Sequence, residues 1–116
     1  MQLLSATSVD HFNQMTSEND QVLAIFSRNN CPACDALSKA LDTNAELQAA
    51  LAGVTVVKVK MEEVGSAMFA TFGLRMAPSM LLFKCDDEVA RLAGFTAVGP
   101  LLDKLNTNFS ALAQAA

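Results

Sequence analysis

The chain reads as an α/β protein, a mixed central sheet with helices on both faces in the order β-α-β-α-β-α-β-β-α. Three observations lead there. Short apolar runs of strand length alternate with longer amphipathic runs over most of the sequence. Of the short runs, Val22–Ser27 is apolar almost throughout rather than at every second residue, and Val54–Met61 carries Val on both faces, as expected of strands covered on both faces. The last two short runs flank Cys85-Asp86-Asp87, a hairpin turn that makes them antiparallel neighbours. At 116 residues the chain is expected to form one domain, 1–116, large enough for a hydrophobic core of its own.

Each element has its signal. Gln2 to Ala6 is a short strand. Thr7 or Ser8 caps a helix that carries Val9, Phe12 and Met15 on one side, with Asp10 favourable in its first turn. His11 lies in that stretch as a rim residue. Ser17 to Gln21 is polar and reads as a loop, and Arg28-Asn29-Asn30 is the turn after the next strand. Asp35 to Leu51 is helical, with Leu37, Leu41, Leu47 and Leu51 on one stripe and Gly53 as its stop. In the strand Val54–Met61, Lys58 and Lys60 interrupt one face. Glu62 to Gly65 reads as a loop, Ser66 as the cap of a short helix with Met68, Phe69 and Phe72, and Gly73 as its end. Pro78 stands at the mouth of the strand Met80–Lys84, where a missing N–H is tolerated. Glu88 to Ala93 returns, and Gly94 breaks the strand as a bulge. Gly99-Pro100 opens a last helix with Leu101, Leu105, Phe109 and Leu112 on one stripe, followed by a frayed tail at Ala113–Ala116.

The chemistry concentrates at Asn30-Cys31-Pro32-Ala33-Cys34, between a buried strand and a helix. The first turn of a helix has unpaired N–H groups and partial positive charge, which favours a thiolate over a thiol. Pro32 suits the first helical position, where its N–H would have had no partner. Cys34 lies one turn on, able to close a small disulfide with Cys31. A Cys-x-x-Cys in a strand–helix setting reads as a redox motif. Half of a zinc site is the competing reading, but the chain offers only His11 and Cys85 as further ligands, each isolated, so no metal is expected.

Composition narrows the partners. The net charge is −4 with no basic stripe, which argues against nucleic acid and an anionic membrane surface. No apolar run approaches the ~20 residues of a membrane span, and the first residues lack the pattern of a signal peptide. Three cysteines suit a reducing compartment, with one catalytic pair and one spare, so a cytoplasmic location is expected. Asp86 and Asp87 make the spare, Cys85, sluggish.

Taken together, the Cys31-Pro32-Ala33-Cys34 motif, the Met76-Ala77-Pro78-Ser79 loop before Leu81-Leu82-Phe83-Lys84, and Gly94 after the last strand resemble the thioredoxin family over nearly the whole chain. Phe26 and Lys58 also match residues common in that family. The resemblance implies a thioredoxin fold and thiol–disulfide exchange with protein disulfides. Cys31 would be the attacking thiolate and Cys34 the resolving thiol. Pro78 would be cis, facing the disulfide, and the Ala77 backbone would pair with a substrate strand. Met76 and Asn30 would border the substrate groove, with Pro32, Ala33, Lys58 and Gly94 supporting the motif. No bound cofactor is implied beyond the Cys31–Cys34 disulfide; the partners are protein disulfides and a thioredoxin-reductase-like electron donor, and the chain would act as a monomer.

Several positions depart from the family's pattern. Asn30 replaces a usual Trp, and Pro32-Ala33 replaces Gly-Pro. Met76 stands where Gly is frequent. Ile25 takes the place of a buried Asp that handles a proton for the resolving cysteine, which leaves Lys58 without its mate. Asp35 opposes a thiolate, and Arg28 offsets it if folded toward the sulfur. No Gly-Gly-x-x-Asp glutathione signature follows the last strands, so glutaredoxin activity ranks below thioredoxin-like exchange. The departures motivate an alternative of another class, a thioredoxin-fold binding or adaptor module with weak or vestigial redox activity. A disulfide-forming oxidant, suggested by the Pro-x order, ranks third.

Overall fold

The computed structural model describes residues 1–109. Leu112 and the Ala113–Ala116 tail lie outside the described residues. Five strands form one sheet: β1 (Gln2–Ala6), β2 (Gln21–Ser27), β3 (Thr55–Lys60), β4 (Ser79–Lys84) and β5 (Asp87–Ala93), in the order β1-β3-β2-β4-β5. β1 and β2 run parallel to β3, while β4 runs antiparallel to both β2 and β5. The helices are α1 (Val9–Glu18), α2 (Pro32–Thr43), α3 (Ala45–Ala50), α4 (Met61–Val64), α5 (Ser66–Thr71) and α6 (Val98–Asn108). Among the described residues no helix is long and apolar enough to cross a membrane.

The alternation of side chains along β2 explains why that strand is apolar throughout. Leu23 and Ile25 point into one core, with Leu37 and Leu41 of α2, Leu47 of α3 and Leu101 and Leu105 of α6. Val22, Ala24 and Phe26 point into the other, with Phe12 and Met15 of α1 and Met68 and Phe69 of α5. The second core is aromatic. The Phe12 ring lies 5.5 Å from those of Phe26 and Phe72 and 5.7 Å from Phe83, and Phe69 lies 5.3 Å from Phe26, mostly edge-on. β2, packed on both faces and paired on both edges, therefore holds whatever follows Ser27 in a fixed place.

The structure departs from the sequence expectation at several joints. The helix expected over Asp35–Leu51 is two helices. Asn44 adopts extended backbone between them, and its Oδ1 accepts the Leu47 N–H at 2.9 Å, capping α3. The leucine stripe survives the break, since Leu37, Leu41, Leu47 and Leu51 all reach one core. The loop expected over Ser17–Gln21 is shorter: Ser17 and Glu18 belong to α1 and Gln21 to β2, leaving Asn19-Asp20 as the connection. Met61–Val64 is one helical turn rather than a loop, and Gly65, at φ +93°, stands at the cap position expected of Ser66. α6 starts at Val98, before Gly99-Pro100. The hairpin turn is Cys85-Asp86 alone, both at positive φ, with Asp87 already in β5.

The bulge lies at Val89 rather than Gly94. Leu82 faces Ala90 and Phe83 faces Glu88, so Val89 is the extra residue. The inserted residue turns Glu88 and Arg91 to the same face of the sheet, although three positions apart in a regular strand would point to opposite faces. Arg91 there donates to Glu88 through Nε at 2.6 Å and Nη2 at 2.8 Å, and through Nη1 to the Phe72 carbonyl at 3.0 Å. This pairing holds the Arg91 pKa above its ordinary value.

Candidate active site

β2 ends at Ser27, and the next four residues turn the chain into α2. Arg28 Nη1 donates to the carbonyls of Asn29 and Asn30, both at 3.2 Å, and the Asn29 N–H donates to Glu62 Oε1 at 3.1 Å. Asn30 has φ +54°, a left-handed conformation that Asn tolerates better than a bulky residue would. Arg28 thus serves the turn's carbonyls.

Cys31 is the N-cap of α2 and Pro32 its first residue. The Cys31 Sγ accepts the Cys34 N–H at 3.2 Å, using one of the helix's unpaired donors, and the Asp35 N–H donates to the Cys31 carbonyl at 3.0 Å. Cys31 and Cys34 are joined as a disulfide, their Cα atoms 5.2 Å apart. Both are buried, at 3% and 7% exposure, while Asn30 and Pro32 beside them are exposed.

The second wall comes from the loop before β4. The Ala77–Pro78 peptide is cis, and the Ala77 carbonyl oxygen lies 3.5 Å from Cys31 Sγ. Two bonds fix this loop: the buried Ser79 Oγ donates to the Met76 carbonyl at 2.8 Å, and the Gly94 N–H donates to the Pro78 carbonyl at 2.8 Å. Gly94 has φ +80°, and a Cβ there would meet Met76 Sδ at 3.2 Å. Met76 itself is 53% exposed. Two shallow hollows of about 310 and 290 Å3 lie along it. One is lined by Leu74, Arg75, Arg91 and Leu92, the other by Arg28, Phe69, Leu74, Arg75 and Ala77.

On the opposite side a cleft of about 360 Å3 reaches Cys34, with Asn30, Asp35, Ser38, Lys58 and Ile25 among its walls. Lys58 is half-buried and lies in register with Ile25 on β2 and Ser5 on β1. Ile25 is 4% exposed and belongs to the leucine-rich core. Among the described residues Lys58 has no carboxylate partner at ion-pair distance.

The structure thus brings together Cys31, Cys34, Pro32, Ala33, Ala77, Pro78, Met76 and Gly94, with Asn30 at the rim and Lys58 under the Cys34 side. Cys85 is an exposed free thiol at the far end of β4, its N–H donating to the Asp20 carbonyl at 2.8 Å. The His11 Nδ1 accepts the Thr7 N–H at 3.4 Å, at the start of α1. No group of three His, Cys, Asp or Glu side chains among the described residues is arranged to hold a metal ion. Sequence reasoning passed over Ser79 and Arg75. Ser79 had a signal, a polar residue heading an apolar strand, which needs a partner once buried; Arg75 had none.

Comparison with known proteins agrees with this geometry. A family profile described as a thioredoxin-like domain matches residues 10–107. No curated protein sequence matches. Among solved structures, a mutant thioredoxin from Halobacterium salinarum is similar, with 25% identity and TM-score 0.78, over 96% of this chain and 94% of that one. A thioredoxin from Trypanosoma brucei brucei has 20% identity and TM-score 0.76, over 90% and 88% of the two chains. A reduced thioredoxin from Schistosoma mansoni has 14% identity and TM-score 0.78, over 92% and 98%. At such identities the last two speak for the fold alone.

Proposed function

The chain belongs to the thioredoxin-like family, and on that premise we propose that it is a thiol–disulfide oxidoreductase that reduces protein disulfides through Cys31 and Cys34. One observation carries the reading. Cys31 Sγ sits at the N-cap of α2, accepts the Cys34 N–H and borders the Ala77 carbonyl, so one sulfur has both a donor that stabilises its thiolate and the backbone of the loop before β4 beside it.

In this reading the reduced Cys31 thiolate attacks one sulfur of a substrate disulfide. That S–S bond breaks, the other substrate sulfur leaves as a thiolate and takes up a proton, and a mixed disulfide remains. Cys34 then gives up its proton and attacks Cys31 Sγ, releasing the second substrate thiolate and closing the Cys31–Cys34 bond. Two electrons pass from the cysteine pair to the substrate. An external dithiol donor, of thioredoxin-reductase type, returns the pair to the reduced form. The redox group is the disulfide itself, and the chain works as a monomer in the cytoplasm. A free, exposed Cys85 supports a reducing compartment.

The test is a pair of variants assayed on a protein disulfide with dithiothreitol as donor. Cys31→Ser is expected to abolish turnover, and Cys34→Ser to accumulate a mixed disulfide visible by non-reducing electrophoresis. Full turnover by Cys31→Ser would sink the mechanism. A second reading, a binding module with vestigial chemistry, draws on Ile25, an apolar residue beneath the motif. It requires a partner that binds the double Cys→Ser variant as well as the natural chain.

A further inference from the structure

The chain is acidic, with 12 Asp and Glu against 8 Lys and Arg, yet its arginines are not spread over the surface. Arg28, Arg75 and Arg91 are all the arginines it has, and each lines one or both of the hollows beside Met76. No Asp or Glu among the described residues lines either hollow. The three differ in what their charge already does. Arg91 is held by Glu88 through two hydrogen bonds, so its charge is compensated and its side chain serves as a wall. Arg28 donates to two backbone carbonyls, which are neutral. Arg75 is exposed, and nothing among the described residues pairs with it.

We propose that this side of the site selects its substrate by charge: a protein segment whose target cysteine is flanked by an apolar side chain and by aspartate or glutamate. The apolar side chain would lie over Met76 and Leu74, and the carboxylate would meet Arg75 and Arg28. This rests on the exchange reading above and narrows its substrate class. The physical argument is complementarity. A chain of net charge −4 repels acidic partners in general, and two guanidinium groups without an ion pair among the described residues reverse that locally, Arg75 most, since Arg28 also borders the cleft that holds Asp35 and Glu63. Met76 adds an adaptable apolar contact that accepts side chains of different shape.

The experiment compares three synthetic peptides, each disulfide-linked to the same neutral thiol and identical except for two flanking positions, which are Glu, Gln or Lys. The readout is kcat/KM for their reduction with dithiothreitol as donor. The natural chain is expected to favour the Glu peptide over the Gln peptide by about three- to tenfold at low ionic strength, with the ratio falling toward one in about 1 M salt. Arg75→Glu is expected to reverse the order, favouring the Lys peptide. Arg75 is exposed, so this change does not threaten folding, and the ratio within each variant is independent of its overall rate. Equal rates for all three peptides, or an order unchanged by Arg75→Glu, would overturn the charge selection while leaving disulfide exchange standing. Reduction of none of the three would overturn the exchange reading and the selection with it.

Discussion

The two sides of the disulfide are built differently. On the Asn30 side, Asn30, Asp35, Ser38 and Lys58 border a polar cleft that reaches Cys34. On the Met76 side, Leu74, Met76 and Ala77 make an apolar surface whose Ala77 carbonyl touches Cys31 Sγ. The difference begins in the sequence. β3 changes from Val to Lys at every second residue after Val56, which leaves one end of the leucine-rich face polar, while the loop after α5 supplies Leu and Met. So the two sulfurs border different surroundings. The sulfur proposed to attack borders the Ala77 carbonyl on the Met76 side, and the one proposed to resolve borders the polar cleft, where water or a polar side chain can take its proton.

The comparison can be broken most sharply at Ile25. Ile25→Asp puts a carboxylate into a buried site next to Lys58 in register. Unless water from the cleft follows it, the change is expected to cost about 2–4 kcal/mol of stability, read from the urea midpoint. An unchanged midpoint would show that the cleft can hydrate a carboxylate at its Ile25 wall. On the Met76 side, Gly94→Ala is expected to cost about 1–2 kcal/mol, since Ala at φ +80° is strained whatever surrounds it. Met76, the contact at 3.2 Å, is flexible and exposed, so placing Met76→Ala in the same chain should recover little of the loss. Full recovery would locate the cost in crowding instead of the backbone. The smallest effect on stability is expected from Lys58→Met, within about 0.5 kcal/mol, because no ion pair among the described residues is lost and the apolar stem is kept. Its effect should appear in the second chemical step. Loss of the cation beside Cys34 is expected to slow release of substrate from the mixed disulfide by about threefold, measured by quenched-flow trapping; an unchanged release rate would remove Lys58 from the site.

Much of this architecture was readable from pattern alone. The unbroken apolar character of Val22–Phe26 announced a strand with two buried faces, and Pro32 after Cys31 announced a helix start with the sulfur at its cap. The family resemblance, rather than periodicity, pointed to Ala77 and Pro78 as neighbours of the disulfide, because loop-to-helix proximity across the chain leaves no periodic trace. The break at Asn44 was also legible: Asn followed by Glu46 and Leu47 is a capping signal, hidden by a leucine stripe that continues through it. The Val89 bulge had no local sign, since its position is set by pairing with Leu82 and Phe83 on the neighbouring strand. Arg75 could not be singled out from sequence, because what distinguishes it is that no carboxylate among the described residues pairs with it in space.

One end of β4 carries Pro78 and the other Cys85, six strand residues apart. At the rise of an extended chain the free thiol stands about 20 Å from the disulfide, beyond the opposite end of the sheet. A maleimide dye, spin label or gold surface attached through Cys85 would therefore leave the substrate groove unobstructed. The chain lacks both Trp and Tyr, so such a label would report binding against an optically quiet protein.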